Sequence, residues 1–245
     1  MKKSISRKII LMMVSFLFSI LLLMTINNLI VNAKTKDEKI IFNEQQHINL
    51  IKILQNKLNE LHQISYRLSR LEDIRLFTKQ EKEIKILLED INLLTDVLIS
   101  GGEYENSIKI NIYNQDLFTD KIIYQAFNNE FSSEIVELSP RLSMINDLSN
   151  HLVKVMQEYY ESENEQQYRE VNSHYKQLES LISRAIETAN RAYLQVQERK
   201  TKLHQNMDNR IQRYNLYRYL FLFLMVIAII ILITQMLKQI YHLVD

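Results

Sequence analysis

Three basic side chains, His62, Arg67 and Arg70, fall within about two helical turns of one another. A guanidinium fork matches a carboxylate or oxyanion with parallel N–H donors, and an imidazole adds a donor whose charge depends on pH. Together they form a candidate site for a small anion or carboxylate, one that a second copy of the chain would share. Arg184 and Arg191, seven apart, lie on one helical face beside Ala185, Ala189 and Ala192. Small side chains let helices approach closely, which would suit a tight interface or a small pocket; ordinary close packing is the plainer account. Arg199 falls in phase with the same stripe, and Asn206 and Arg210 continue near it. A buried polar site and a seam that has reached water both fit that spacing. For the first three residues the plain alternative is solvated charge beside an apolar stripe.

Other chemistries lack their parts. With no Cys there is no thiol catalysis, zinc–thiolate site or Cys-ligated cluster, and with two Gly there is neither a phosphate loop nor a GxSxG elbow. Six histidines stand at 47, 62, 151, 174, 204 and 242; none forms HExxH and no two are four apart, so no metal site is expected. Carboxylate groups such as Glu81/Glu83 and Glu161/Glu163/Glu165 read as solvated helix surface. The expectation is no enzyme, no cofactor and no metal. The net charge is +1, and the segment 34–218 carries 25 Lys and Arg against 28 Asp and Glu. No basic face is concentrated enough for nucleic acid.

The elements that carry these residues are helices bounded by apolar runs. Tyr219 to Leu237 is uncharged over 19 residues, roughly 28 Å of helix, close to the thickness of a bilayer's hydrocarbon core. Ile9 to Ala33 is a second uncharged run behind the basic tail MKKSISRK, which positive-inside orientation keeps in the cytoplasm. Val31-Asn32-Ala33 would pass as a processing site, but the apolar core Ile9–Ile26 is longer than a usual signal segment, so a retained anchor is expected. The division is a cytoplasmic tail 1–8, a first span 9–33, an extracytoplasmic segment 34–218, a second span 219–237 and a short cytoplasmic tail 238–245.

Scarcity of Gly and of Pro (one residue) argues for long helices in the middle segment. Three–four spacing of apolar residues predicts four of them. Helix 1, about 36–77 and able to run on from the first span, carries Ile51, Leu54, Leu58, Leu61, Ser65 and Leu68, widened by Ile48, Ile64 and Leu71. Helix 2, about 79–100, carries Ile84, Leu87, Ile91, Leu94 and Leu98 and ends at Gly101-Gly102. Helix 3 starts at Ser139-Pro140, as N-cap and first turn, with Leu142, Ile145, Ser149, Leu152, Met156 and Tyr159 inward. After a polar turn over 161–172, helix 4 carries Leu178, Ile182, Ala185, Ala189, Ala192, Val196, Arg199 and Leu203 towards the second span. The fold class expected is all-α: two transmembrane helices flanking an antiparallel four-helix bundle with long helices 1 and 4. The irregular insertion 101–138 is read as a short strand at 107–113 and a short helix at 116–131, with Ile123, Phe127 and Phe131 four apart. It is expected to pack on the two-helix stalk nearer the membrane.

Residues 56–68, NKLNELHQISYRL, resemble the first helix of the periplasmic sensor domain of nitrate/nitrite sensor histidine kinases and type IV pilus chemotaxis transducers. That family has an Asn-Lys-Ala-Gly-Ser-Leu-Arg-Met-Gln-Ser-Tyr-Arg-Leu type segment, which Asn56, Lys57, Leu61, Ser65, Tyr66, Arg67 and Leu68 match in place. Residues 94–102, LTDVLISGG, look like the family's end of helix 2. The resemblance spans about 34–102 and implies a homodimeric extracytoplasmic four-helix sensor domain between two spans of a bacterial inner (cytoplasmic) membrane. Asn59 stands where the family has Gly, and His62 where it has the Arg that grips the anion. The family's cytoplasmic kinase or methyl-accepting domain has no counterpart before Asp245. The function expected is therefore a membrane-anchored sensor-like module that binds a ligand or partner and passes a signal through its transmembrane helices to a separate protein. The alternatives are a ligand-free coiled-coil scaffold or spacer and a truncated chemoreceptor or sensor kinase.

Overall fold

The computed structural model describes residues 2–70, 74–108, 118–126, 133–162 and 165–244. Among them the chain is helical apart from one hairpin, in the order α1 Lys2–Leu68, α2 Ile74–Ser100, β1 Gly102–Ile108, β2 Phe118–Tyr124, α3 Ser133–Ser162 and α4 Glu165–Val244. It divides into two compact units, Phe42–Lys200, and Met1–Ile41 with Thr201–Asp245.

In the unit Phe42–Lys200 one apolar core takes residues from all four helices. The three–four stripes are the buried faces: Leu54, Leu58, Leu61 and Ser65 on α1, Ile91 and Leu94 on α2, Ile145 and Leu152 on α3, and Ala185 and Ala189 on α4. Contacts between neighbours give the chain directions. Gln45 meets Lys200, Gln55 meets Asn190, and His62 meets Tyr175, so α1 and α4 run antiparallel. Arg141 meets Thr188 and His151 meets His174, so α3 and α4 do too.

Several boundaries differ from the expected ones. α1 stops at Leu68, and Phe77 belongs to α2. Ser69 N–H still bonds the Ser65 carbonyl at 3.0 Å, but Arg70 N–H bonds Arg67 at 3.1 Å, a tightened last turn. Leu71 lies outside the described residues. α3 begins at Ser133, so Pro140 is inside the helix rather than at its first turn. An interior proline costs about 3 kcal/mol through its lost donor and ring clash. Burial of Ile135 and Leu138 before it, at about 1.5–3 kcal/mol each, offsets that. α4 begins at Glu165, within the polar stretch read as a turn. The Glu165–Arg169 pair at 2.9 Å stitches that first turn, and the acid complements the helix N-terminus.

The insertion 101–138 holds the largest correction. Residues 118–124 are a strand, not a helix; β1 and β2 pair antiparallel from Gly102↔Tyr124 to Ile108↔Phe118. The apolar run Phe118–Tyr124 works with period two: Ile122 and Tyr124 are buried while Ile123 is exposed. Of the strand expected at 107–113, Ser107 and Ile108 fall in β1; residues 109–117, Phe127 and Phe131 lie outside the described residues. An isolated two-stranded hairpin is marginal in water. Here Tyr104, fully buried, donates its hydroxyl to Asp90 of α2 at 2.9 Å. Asn43 of α1 brackets Gln125 with two hydrogen bonds of 2.9 Å. The hairpin thus packs on the part of α1 that faces the end of this unit's α4.

In the other unit, α1 and α4 each carry a stretch long and apolar enough to cross a membrane, with none of it buried. Hydroxyls there turn back on their own helix: Ser19 donates to the Ser15 carbonyl at 2.9 Å, Thr25 to Leu21 at 2.8 Å and Thr234 to Ile230 at 2.7 Å. Arg210 pairs with Asp37 at 3.3 Å, and the Arg218 guanidinium lies 5.6 Å from the Tyr219 ring centre.

Candidate functional site

The five predicted site residues occupy three places. His62, at the α1–α4 seam, sets Nε2 3.3 Å from the Tyr175 hydroxyl and 3.5 Å from Glu179 Oε1. Tyr66 packs on Tyr175, and the Arg70 guanidinium lies 4.6 Å over the Tyr66 ring. Burial, and then the Glu179 carboxylate, push the Tyr175 phenol up. The cluster is an aromatic ledge edged by one guanidinium, with its imidazole already facing a carboxylate.

Arg67 is exposed on the other side of α1. It lines a groove of about 440 Å³ with Lys57 and Glu60, opposite Glu83 and Asp90 of α2. Lys57 and Asp90 are paired at 2.6 Å, while Arg67 makes no ion pair among the described residues. The groove therefore mixes two cations with three carboxylates.

Arg184 and Arg191 are exposed beside the buried Ala185, Ala189 and Ala192. Arg191 pairs with Glu187 at 3.1 Å and with Glu137 of α3 at 3.8 Å. Arg141 binds Glu137 through Nη2 and Thr188 through Nη1, and the same Nη1 is 3.4 Å from the Arg184 carbonyl. Two guanidiniums and two carboxylates close this network across the α3–α4 seam.

The most enclosed ionisable group of residues was only half legible. Arg199 Nε lies 3.5 Å from Glu44 Oε1, and Glu44 Oε2 lies 3.9 Å from His47 Nδ1. His47 stacks on Tyr124 of the hairpin at 4.7 Å and meets its hydroxyl at 3.4 Å. Glu44 and His47 are each 3% exposed, so no substrate reaches them. Lys200 donates to Gln45 at 2.6 Å one residue away. Burial first, and the Glu44 charge second, push the Tyr124 phenol up to about 12, with Arg199 opposing. This is a buried polar lock joining α1, α4 and the hairpin. The core phase of Arg199 pointed to it, while Glu44 and His47 left no such signal because they precede the regular stripe.

A further arrangement crosses helices: His151 of α3 stands against Glu170 and His174 of α4, a group that could hold a metal ion. Spacing within one helix cannot reveal it, although Glu170 and His174 at i,i+4 are two of its three members. Comparison of the chain with protein-family models and with curated proteins finds no match to either.

Proposed function

We propose that the chain is a two-pass membrane protein whose 34–218 segment is an extracytoplasmic antiparallel four-helix bundle, dimeric, binding a ligand or partner and signalling to a separate protein. One observation carries the reading. α1 and α4 each unite, without a break, an apolar stretch that is exposed along its length with a face that lines the core. Movement of either helix is then movement of a span. Hydroxyls satisfied by carbonyls of their own helix suit a solvent that offers no hydrogen bonds. Arg218 beside Tyr219 suits an interface, where such side chains anchor a span. The Glu44–His47–Arg199–Tyr124 lock also supports it, because sliding α1 along α4 must exchange these pairs for others.

The test uses the full chain in detergent. Its melting temperature is followed with nitrate, nitrite, phosphate, carboxylates and amino acids, below and above the imidazole pKa range. A shift of several degrees with one compound, lost in Arg67→Ala, is the expected result; pH dependence would bring in His62. A flat panel removes the small-ligand reading. One observation favours the scaffold alternative: His62 and Arg191 already face carboxylates of their own chain. A scaffold gives the flat panel together with a stoichiometric partner protein.

A further inference from the structure

The geometry points to a transition-metal site, for Zn²⁺ or a similar borderline cation, made by His151 of α3 with Glu170 and His174 of α4. One ligand atom from each residue lies within 4.8 Å of the others. The two imidazole rings are 4.4 Å apart and perpendicular, and His174 Nε2 is 3.7 Å from Glu170 Oε1. A tetrahedral ion with bonds of about 2.0–2.1 Å holds its ligand atoms roughly 3.3 Å apart. Rotation of the exposed His151 and Glu170 side chains closes the difference without moving a helix.

The donor set decides the class of ion. Two neutral imidazoles and one carboxylate suit Zn²⁺, Cu²⁺ or Ni²⁺, whereas Ca²⁺ and Mg²⁺ require oxygen cages. One negative charge against a dication leaves the occupied site cationic, with its remaining positions open to water. Glu170 and His174 sit one turn apart and so face the same way. His151 comes from the antiparallel neighbour, so the ion would clamp α3 to α4.

On His174 the nitrogen that faces Glu170 is Nε2, 3.7 Å from Oε1, so Nε2 is the ligand atom that the geometry favours; Nδ1 lies buried on the other side of the ring. The inference does not rest on the membrane reading.

The test is direct Zn²⁺ binding to the full chain in detergent, with any affinity tag removed, by competition with a chromophoric chelator. Co²⁺ substitution reports the ligand field. The expected result is one Zn²⁺ per chain and a Co²⁺ visible spectrum of low coordination number. Affinity should fall at least about tenfold, since even outer-shell changes cost 10–100-fold, in His151→Ala and in Glu170→Gln. Both replace exposed side chains, so the fold should survive them. His204→Ala, an exposed histidine elsewhere on α4, should leave binding unchanged. Absence of saturable binding, or equal binding in wild type, H151A and E170Q, overturns the inference. So does a loss in H204A as large as that in H151A.

Discussion

Glu44 is the residue whose environment asks most of the fold. A carboxylate taken out of water loses several kcal/mol of hydration, and a partner guanidinium repays this only with good geometry. At 3.5 Å, Arg199 Nε is a moderate partner, and Glu44 Oε2 and His47 Nε2 have no hydrogen bond among the described residues. Such a cluster is weak as a stabiliser. Tyr124 reports on it through pH. Its folded-state pKa is raised to about 12, against about 10 in an unfolded chain. The folded protein therefore holds a proton that the unfolded chain gives up. The associated stability is complete below pH 10 and is lost as pH rises through 12. Chemical-denaturation curves from neutral to strongly alkaline pH should show wild type losing more stability above pH 10 than Tyr124→Phe. Parallel profiles would remove Tyr124 from that account. Tyr104, also raised by burial and by Asp90, leaves part of the alkaline loss in both proteins.

At the scale of elements, the α2–β1 corner depends on glycine. Gly101 has φ of 75° and closes α2 through a 2.9 Å bond from its N–H to the Val97 carbonyl. A Cβ there would stand 2.7 Å from the backbone nitrogen of Ala126, an atom fixed by the hairpin. Gly101→Ala should cost more than the roughly 1–2 kcal/mol of left-handed strain alone. Gly102, at φ 138°, meets nothing closer than 3.9 Å, so Gly102→Ala should carry backbone strain without the collision. Thermal melts that place G101A no lower than G102A would refute the crowding argument. The glycine pair was visible as a helix stop. What followed it was not, because alternation over a few residues in an apolar run fits a short helix and a short strand alike.

At the scale of the molecule, the exposed apolar stretches of α1 and α4 outweigh other considerations. Each Leu, Ile or Phe left in water forgoes roughly 1.5–3 kcal/mol. Five such residues match the whole stability of a typical domain, about 5–15 kcal/mol. Phe16, Leu17, Phe18, Leu21, Phe223, Leu224 and Ile230 are all at least half exposed, as suits two helices long and apolar enough to cross a membrane. The absence of Cys makes the proposed topology testable by single substitutions. Glu103→Cys, on the hairpin, should react with a membrane-impermeant maleimide in intact cells or spheroplasts. Lys238→Cys should react only after permeabilisation. Labelling of both positions before permeabilisation, or of Lys238→Cys alone, would reject the orientation.

The amino-acid sequence alone determined whatever depends on neighbours a few residues away. Helical period places Leu54, Leu58 and Leu61 on one face whatever they pack against, lack of charge over 19 residues marks a stretch unsuited to water, and two glycines mark the end of α2. Tertiary structure decided whatever depends on which helices adjoin. Glu44 meets Arg199, His62 meets Glu179, and His151 meets Glu170 and His174 only because antiparallel helices bring distant positions level. Arg67 stands on a different face of α1 from His62 by the helical period alone, five residues being about 140° of turn. Packing also drew Pro140 into a helix, where burial of Ile135 and Leu138 overrode local preference. Periodicity records which side of a helix is apolar; it carries no record of the residue that will stand opposite.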